Sequence, residues 1–319
     1  MKKLLHSWRV LALSLIFFST YFQSPAQSVG GGKIEIGVGL GPLFFLGDLG
    51  GSRGYGTTFL KDVDVPLTKL CKGIYFNVQP TEWLGFRLAA NIGTLEGNDA
   101  MAPNKGGDEV TRLMRNLNFK SKLIEGYAAI EFYPTVFFEH YDGLFGKIRP
   151  YGVMGLGVFH FDPETKDNAG NWVKLQPLHT EGQGFPEYPD RRPYQLTQLN
   201  IPMGVGFKYY MTDNMYLGIE VLHRKLFTDY VDDVSTRYID PTLFDAHLNP
   251  SDAALAKQLE YRGTYPGITS GSQMVGEIRG DPNQNDAYFS TIIRMGWRLN
   301  GSNSPQGGAI QQMRCPKYY

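Results

Sequence analysis

Cysteine is scarce in this sequence, since the 319 residues include only Cys71 and Cys315. So small a number excludes a compact scaffold held together by disulfides. Neither sign of charge is in excess, because 31 Lys and Arg residues balance 31 Asp and Glu residues. A nucleic-acid-binding protein needs a basic surface, so this balance argues against a nucleic-acid partner. Long apolar runs are missing too: beyond the N-terminal segment, no stretch has the roughly 20 apolar residues of a spanning helix.

Residues 1–26 have the layout of a secretory signal peptide. A basic start is followed by the apolar run VLALSLIFF and by the small residues SPA at 24–26. This order predicts cleavage after Ala26 and export of the mature chain. The alternative is a retained membrane helix, for which the apolar run is too short.

Glycine and aromatic residues are abundant, with 38 glycines and an aromatic content of 13%. Long helical patterns are scarce, and this combination favours an all-β fold. In residues 198–212, QLNIPMGVGFKYYMT, apolar side chains alternate with polar or small ones, as on the two faces of a strand. The alternation predicts eight strands, at residues 33–41, 73–79, 84–93, 124–133, 150–161, 198–212, 215–222 and 288–300.

Pro202 lies inside one of these predicted strands. Proline has no N–H group to donate to a neighbouring strand. We therefore expect a bulge or a strand end at this position.

The polar faces of these strands distinguish a soluble β-sandwich from an outer-membrane barrel. A sandwich would bury its apolar faces, whereas a barrel turns them to lipid. The opposite faces here carry repeated glycines, which clear space in a crowded interior, together with isolated charges of both signs, which pair where water is scarce. These predicted lumen charges are Glu35, Arg87, Glu125, Glu131, Lys208, Glu220, Arg294 and Arg298. The pattern favours a barrel over the sandwich.

Short and long connections alternate along the chain. QPTEW at 79–83 and TDN at 212–214 predict tight turns, whereas the long connections are about 48–72, 96–116, 162–194 and 225–286. Bacterial barrels have short turns in the periplasm and long loops outside the cell. We therefore predict an eight-stranded antiparallel transmembrane outer-membrane β-barrel at residues 27–300. Both termini are expected in the periplasm, with residues 301–319 as a periplasmic tail.

The sequence offers little sign of catalysis or of a cofactor. An eight-stranded barrel has an interior just wide enough for its own side chains, which argues against a porin. The six histidines are dispersed along the chain. We predict that the protein is not an enzyme, although a Ser-His pair at the rim of a lipid-modifying barrel stays an alternative.

Two polar segments stand out in the predicted outer loops. They are HTEGQG at 179–184 and FTDYVDDVS at 227–235, with Thr180, Glu181, Gln183, Asp229, Asp232 and Asp233 as candidate site residues. Clustered carboxylates are ligands for calcium, but the spacing of these three aspartates does not match a calcium loop. We favour a hydrogen-bonded lid over the barrel mouth.

The predicted periplasmic side carries two candidate partner-binding segments. The connection PTVFFEHYDGLFGKI at 134–148 is long and apolar, and its aromatic residues Phe137, Phe138, Tyr141 and Phe145 would be costly to leave in water. The alternative is that they pack on the barrel rim or rest in the lipid interface. The tail begins as a flexible Gly/Ser/Pro-rich linker and ends with Arg314, Cys315, Pro316, Lys317 and Tyr318.

Cys315 is expected to be a lone thiol in an oxidising compartment. Cys71 is predicted at the outer end of the second strand, so a membrane thickness separates the two, which is beyond the reach of a disulfide. We hypothesise an intermolecular disulfide, or at least a contact, from Cys315 to a partner.

Several segments together resemble the PorG family of outer-membrane barrels from the Bacteroidetes type IX secretion system. They are GLGPLFFLGDLGG, RPYGVMGLGVFHFDP, LQPLHTEGQG, RKLFTDYVDDVSTRYID and the terminal CPKYY, and the likeness covers most of residues 33–319. The resemblance implies a small barrel that anchors the periplasmic ring of the PorK lipoprotein and PorN to outer-membrane lipid. Tyr318-Tyr319 departs from the single aromatic residue expected at the family's end. An independent binding or adhesion barrel is the main alternative, and a lipid-modifying enzyme the lesser one.

Overall fold

The computed structural model describes residues 32–49, 67–102, 109–137 and 147–299. The described strands are β1 (Lys33–Leu46), β2 (Lys69–Gln79), β3 (Leu84–Asn98), β4 (Asn118–Phe132), β5 (Ile148–His160), β6 (Pro163–Lys166), β7 (Trp172–Lys174), β8 (Thr197–Thr212), β9 (Met215–Leu226) and β10 (Ala287–Arg298). The described α-helices are α1 (Glu109–Arg115), α2 (Thr242–His247) and α3 (Pro250–Glu260). Short 3-10 turns occupy Asp99–Met101, Pro134–Phe137, Gln176–Leu178 and Gly271–Gln273. The predicted signal segment and tail lie outside the described residues.

Eight of these strands close into an antiparallel barrel. Around the barrel the order is β1, β2, β3, β4, β5, β8, β9 and β10, and β10 pairs with β1 to complete the circle. Strands β6 and β7 form an additional hairpin, in which β6 pairs with the N-terminal end of β4 at Lys120 and Ser121. The predicted eight-stranded barrel is confirmed, and the hairpin is an element that the alternation did not predict.

The outer surface of the barrel is apolar. Leu156 is 71% exposed, Val205 66% and Ile74 63%, and each lies among other exposed aliphatic or aromatic side chains of its strand. A belt of this kind would be unfavourable in water and matches the hydrocarbon layer of a membrane. Among the described residues, no helix is long and apolar enough to cross a membrane. The predicted orientation, with apolar faces outward, is confirmed.

The two ends of the barrel differ. One end, which we call the turn rim, contains the start of β1, the end of β10 and the short turns 80–83 and 213–214. At this rim the Arg298 N–H donates to the Asn214 carbonyl at 2.7 Å. At the opposite loop rim, the described parts of the long connections fold into a lid. We define the lid as residues 47–49, 99–102, 109–117, 161–196 and 227–286.

Pro202 corrects one expectation. It lies in the middle of β8, opposite Arg224 of β9, and the register shift in that ladder lies between Tyr210 and Thr212. On the other side, the ladder to β5 has partners at Met203 and Asn200 but none between them. The missing N–H therefore interrupts the pairing with β5 locally, and neither a bulge nor a strand end is required.

An apolar core fills the loop-rim half of the barrel and continues into the lid. Leu43, Leu95 and Phe159 are buried on the strands, and Val231 and Phe244 are buried in the lid cluster next to them. Burial of this apolar surface stabilises both parts together. The core holds the lid in place over the barrel mouth.

Candidate functional site

The turn-rim half of the lumen contains buried charged side chains next to a small cluster of buried tyrosine and aliphatic residues. Six of them form what we call the lumen network: Glu35, Arg87, Glu131, Lys208, Glu220 and Arg294. The Lys208 Nζ lies 2.7 Å from Glu35 Oε2 and 3.3 Å from Glu131 Oε2. Tyr133 donates its hydroxyl to the same oxygen of Glu131. Lys208 thus links three strands across the lumen.

Arg87 connects the remaining members of the lumen network. It pairs with Glu131 and, at 2.6 Å, with Glu220 Oε2. The other oxygen of Glu220 lies 2.7 Å from Arg294 Nη2, and the Tyr151 hydroxyl donates to Glu220 at 2.8 Å. Side-chain exposures in the network are at most 3%. Three cations face three anions, so the buried charges are compensated.

The other two predicted lumen charges lie apart from this network. Glu125 pairs at 3.0 Å with Arg224, and it also accepts hydrogen bonds from Asn91 and Asn200, each at 2.8 Å. Arg298 is half-buried on the inner face near the turn rim, 5.0 Å from the Tyr210 ring centre. Arg224 is not among the predicted lumen charges because the predicted strand ends at residue 222, whereas β9 continues to Leu226.

The lumen is therefore packed with paired charges and their hydrogen-bond partners. Passage of a solute through it would require these ion pairs to separate in a medium of low dielectric constant. The described interior is that of a closed structural barrel, which matches the expected capacity of eight strands.

The two polar loop segments meet in the lid. The Glu181 carboxylate accepts from the backbone N–H groups of Ser235 at 3.0 Å and Thr236 at 2.9 Å, and it pairs with Arg279 at 2.8 Å. Thr180 donates its hydroxyl to Asp233 at 2.5 Å. These contacts join segment 179–184 to segment 227–235.

Further hydrogen bonds connect these two segments to each other and to neighbouring residues. The Gln183 side chain accepts from the Glu181 N–H at 3.1 Å, and Tyr194 donates to Asp233 at 2.7 Å. Asp232 accepts from the N–H groups of Leu49 at 3.1 Å and Val234 at 3.0 Å. The arrangement is that of a hydrogen-bonded lid. Within the part of the chain that the structure describes, no three His, Cys, Asp or Glu residues are arranged to hold a metal ion.

A second group of lid carboxylates was not found from the sequence. Asp48 and Asp286 join Asp229 and Asp232: Asp48 raises the pKa values of the other three, and Asp229 and Asp232 also raise that of Asp286. Burial is the main cause: it raises the pKa of Asp48 to about 6 and that of Asp229 to about 10, and the neighbouring carboxylates add to it. The pKa values of Asp232 and Asp286 are well above their usual range for the same reasons. We call these four residues the acidic cluster.

An exposed aromatic group lies at the turn rim. The Phe137 ring centre is 6.2 Å from that of Trp83 and 5.9 Å from that of Phe132. Phe137 is 60% exposed, Phe132 44% and Trp83 39%. We call these three residues the aromatic rim. Phe138, Tyr141 and Phe145 lie outside the described residues, as do the tail residues Arg314, Cys315, Pro316, Lys317 and Tyr318. Cys71 is a buried free cysteine.

Comparison with protein-family models and with curated proteins finds no match. Solved structures of outer-membrane proteins are similar in part. A major outer-membrane protein from Thermus thermophilus is 12% identical with a TM-score of 0.39, covering 85% of this chain and 100% of that one. OprG from Pseudomonas aeruginosa is 12% identical with a TM-score of 0.38, covering 86% and 99%. Neisserial surface protein A is 9% identical with a TM-score of 0.37, covering 85% and 98%.

Similarities at this level say nothing about ligand, partner or activity. The architecture itself is clear from the chain: eight antiparallel strands close on themselves, the outer face is apolar and the lumen is ion-paired. The chain has the fold of an integral outer-membrane β-barrel.

Proposed function

We propose that this protein is a non-enzymatic outer-membrane anchor of the type IX secretion system, which ties the periplasmic ring of PorK and PorN to the membrane. The observation that carries the proposal is the aromatic rim, where Phe137 and its neighbours leave a connected aromatic surface exposed at one end of the barrel. Exposed aromatic side chains are enriched at the centres of protein interfaces. The resemblance to the PorG family supplies the identity of the partners.

Two further features support an anchor. The packed lumen leaves attachment as a more suitable role for the barrel than conduction. In addition, β10 ends at the turn rim, so residues 301–319 continue the chain from the same end as the aromatic rim. In the orientation that we propose, this end faces the periplasm, and the tail and the aromatic rim contact the ring together.

Affinity purification of the tagged protein from outer membranes tests the proposal. We expect PorK and PorN to co-purify with the unaltered chain, and Phe137→Ser to reduce their yield at least severalfold. Phe227→Ser is the matched control, because Phe227 is 55% exposed but lies beyond β9 at the loop rim. Unchanged co-purification with Phe137→Ser and with a deletion of 301–319 would contradict the anchor role, provided that both variants still show the heat-dependent electrophoretic shift of a folded barrel.

Cys315 allows a covalent version of the contact. If it pairs with a ring subunit, non-reducing electrophoresis of membranes shows a high-mass adduct that disappears with Cys315→Ser. Cys71→Ser is the control, since Cys71 is buried. Absence of the adduct would contradict the proposed disulfide. The non-covalent contact is tested separately by the purification experiment.

The alternatives make different predictions. An adhesion or binding barrel loses its activity when the lid is removed and keeps it when residues 301–319 are deleted. A lipid-modifying enzyme fails on a single Ser or His substitution while the barrel stays folded. The described histidine contacts include His160 with Thr197 at 2.9 Å and His247 with Glu187 at 2.9 Å, and neither joins a histidine to a serine.

A further inference from the structure

The outer surface of the lid contains a cavity between residues 190–192 and residues 230–237. It has a volume of about 410 Å³ and is lined by Asp190, Arg191, Arg192, Tyr230, Ser235, Thr236, Arg237 and Pro282. We propose that this cavity binds a sugar-sized molecule bearing a carboxylate or phosphate group. The volume lies within the range of about 300–1,000 Å³ that is usual for small-molecule sites. The site is at the opposite end of the barrel from the aromatic rim and does not rest on the anchor role.

The charge of the lining favours an anion. Three arginines, Arg191, Arg192 and Arg237, face one carboxylate, Asp190, which leaves an excess of two positive charges. A guanidinium stays ionised at any physiological pH and offers a planar set of donors that matches the oxygens of a carboxylate or phosphate. Such a lining recognises an oxyanion better than a neutral ligand.

Two of the arginines are held in position by backbone carbonyls. The Arg191 Nη1 donates to the Glu181 carbonyl at 2.7 Å and to the Arg237 carbonyl at 2.9 Å, and its guanidinium lies 4.4 Å from the Tyr188 ring centre. The Arg237 Nη1 donates to the Gly276 carbonyl at 2.9 Å. These contacts use only one nitrogen of each guanidinium. The remaining donors are available to a ligand, with less ordering cost than free side chains would have.

Arg192 differs, because it is exposed and no described residue forms a hydrogen bond or ion pair with it. None of the described ion pairs includes Arg191, Arg192 or Arg237, and Glu181 is already paired with the buried Arg279 at 2.8 Å. The positive charge of the cavity is therefore not neutralised from within the lid. An external oxyanion would neutralise it.

The base of the cavity is rigid. The Tyr230 ring stacks on Tyr194 with centres 5.1 Å apart and planes 7° from parallel. Ser235 and Thr236 are fixed by their N–H bonds to Glu181. A preformed base beside fixed donors is typical of a ligand site, where a few polar groups orient the ligand against an otherwise firm wall.

Ligand titrations of the purified full-length protein in detergent, followed by NMR, test this proposal. The probes are glucuronate, glucose 6-phosphate and, as the neutral reference, glucose. We expect at least one of the two charged sugars to bind more tightly than glucose, and the tighter of the two identifies the preferred oxyanion. Arg192→Gln should weaken that binding about tenfold, the effect of losing one charge-assisted contact. Arg237→Gln should act in the same direction.

Lys257→Gln is the matched control, since it removes one positive charge from the same lid but outside the cavity. Resistance of the lid to protease, compared among all variants, separates lost binding from a lost fold. Because no described residue forms a hydrogen bond or ion pair with the exposed Arg192 side chain, its substitution should leave the lid intact. The proposal is overturned if glucose binds as well as the charged sugars, if no probe binds, or if Arg192→Gln and Lys257→Gln weaken binding equally.

Discussion

Lys208 and Glu35 are 173 residues apart in the sequence, yet their Nζ and Oε2 atoms lie 2.7 Å apart inside the barrel. One stands on β8 and the other on β1, and both are essentially inaccessible to solvent. The pair therefore links strands that are not neighbours in the sheet. Because Lys208 also reaches Glu131, its ammonium compensates two carboxylates at once.

Removal of this ammonium should destabilise the barrel strongly. Lys208→Met leaves Glu35 without its cation and Glu131 with only Arg87, and breaking a buried pair in this way costs about 3–5 kcal/mol. The double variant Lys208→Met/Glu35→Gln should recover part of the loss, because the uncompensated charge on residue 35 is gone. Unfolding in urea with the protein in lipid vesicles measures both. Lys225→Met, at an exposed position on β9, is the control and should be close to neutral. Equal costs for Lys208→Met and Lys225→Met would contradict the proposed role of the ion pairs.

Stability of the lid should fall as the pH rises. The folded-state pKa values of Asp48 and Asp229 are raised to about 6 and about 10, so the folded lid keeps protons that the unfolded chain releases near pH 4. This stabilisation is complete at low pH and is lost as the pH passes through the folded pKa values. His179, whose pKa is lowered by burial, acts in the opposite sense only below about pH 6.5. A comparison of about pH 7 with about pH 9 avoids the His179 range and tests the acidic cluster together with Glu260, whose pKa burial raises to about 7.

Hydrogen exchange of residues 227–286 at these two pH values measures the effect, after correction for the intrinsic pH dependence of exchange. Protection should be lower at the higher pH, and Asp229→Asn should reduce the difference because asparagine does not ionise. Asp245→Asn, at an exposed position of α2 paired with Lys257, should leave the difference unchanged. If protection in the unaltered protein does not depend on pH, the aspartates of the folded lid do not retain their protons as proposed.

Glu181 should be more important for the lid than Thr180. Glu181→Gln leaves the buried Arg279 without its carboxylate and weakens the bonds to Ser235 and Thr236, at a cost of about 1–3 kcal/mol. Thr180→Val removes one hydrogen bond to Asp233, at a cost of about 1 kcal/mol. Protease sensitivity of the lid should rank Glu181→Gln above Thr180→Val and both above the unaltered chain. The reverse ranking would mean that the Glu181 contacts are incidental.

The strands can be predicted because their alternation depends on residues two positions apart in the chain. The fold of the lid cannot be predicted in this way. Alternation predicts all eight barrel strands, but the strand predicted at 215–222 ends before Arg224, the partner of Glu125. The missing N–H of Pro202 predicts a bulge or a strand end, yet it interrupts only the ladder to β5, and the ladder to β9 continues through it. The polar segments near Thr180 and Asp233 were recognised by composition. Their pairing, and the approach of Asp48 to Asp286, depend on how distant loops fold, which local patterns do not contain.

Two glycines on neighbouring strands should differ sharply in their tolerance of a side chain. A Cβ atom on Gly155 of β5 would lie 2.1 Å from the Ala128 carbonyl oxygen and 2.6 Å from the Ala129 Cβ, so Gly155→Ala requires the backbone of β4 to move. Such overpacking costs about 1–3 kcal/mol. A Cβ atom on Gly126 of β4 would meet nothing within 4 Å, because this position opens onto the outer surface. Gly126→Ala is therefore expected to be neutral or slightly stabilising. Unfolding in urea compares the two variants, and equal stability would mean that β4 and β5 do not approach as closely as the β-ladder requires.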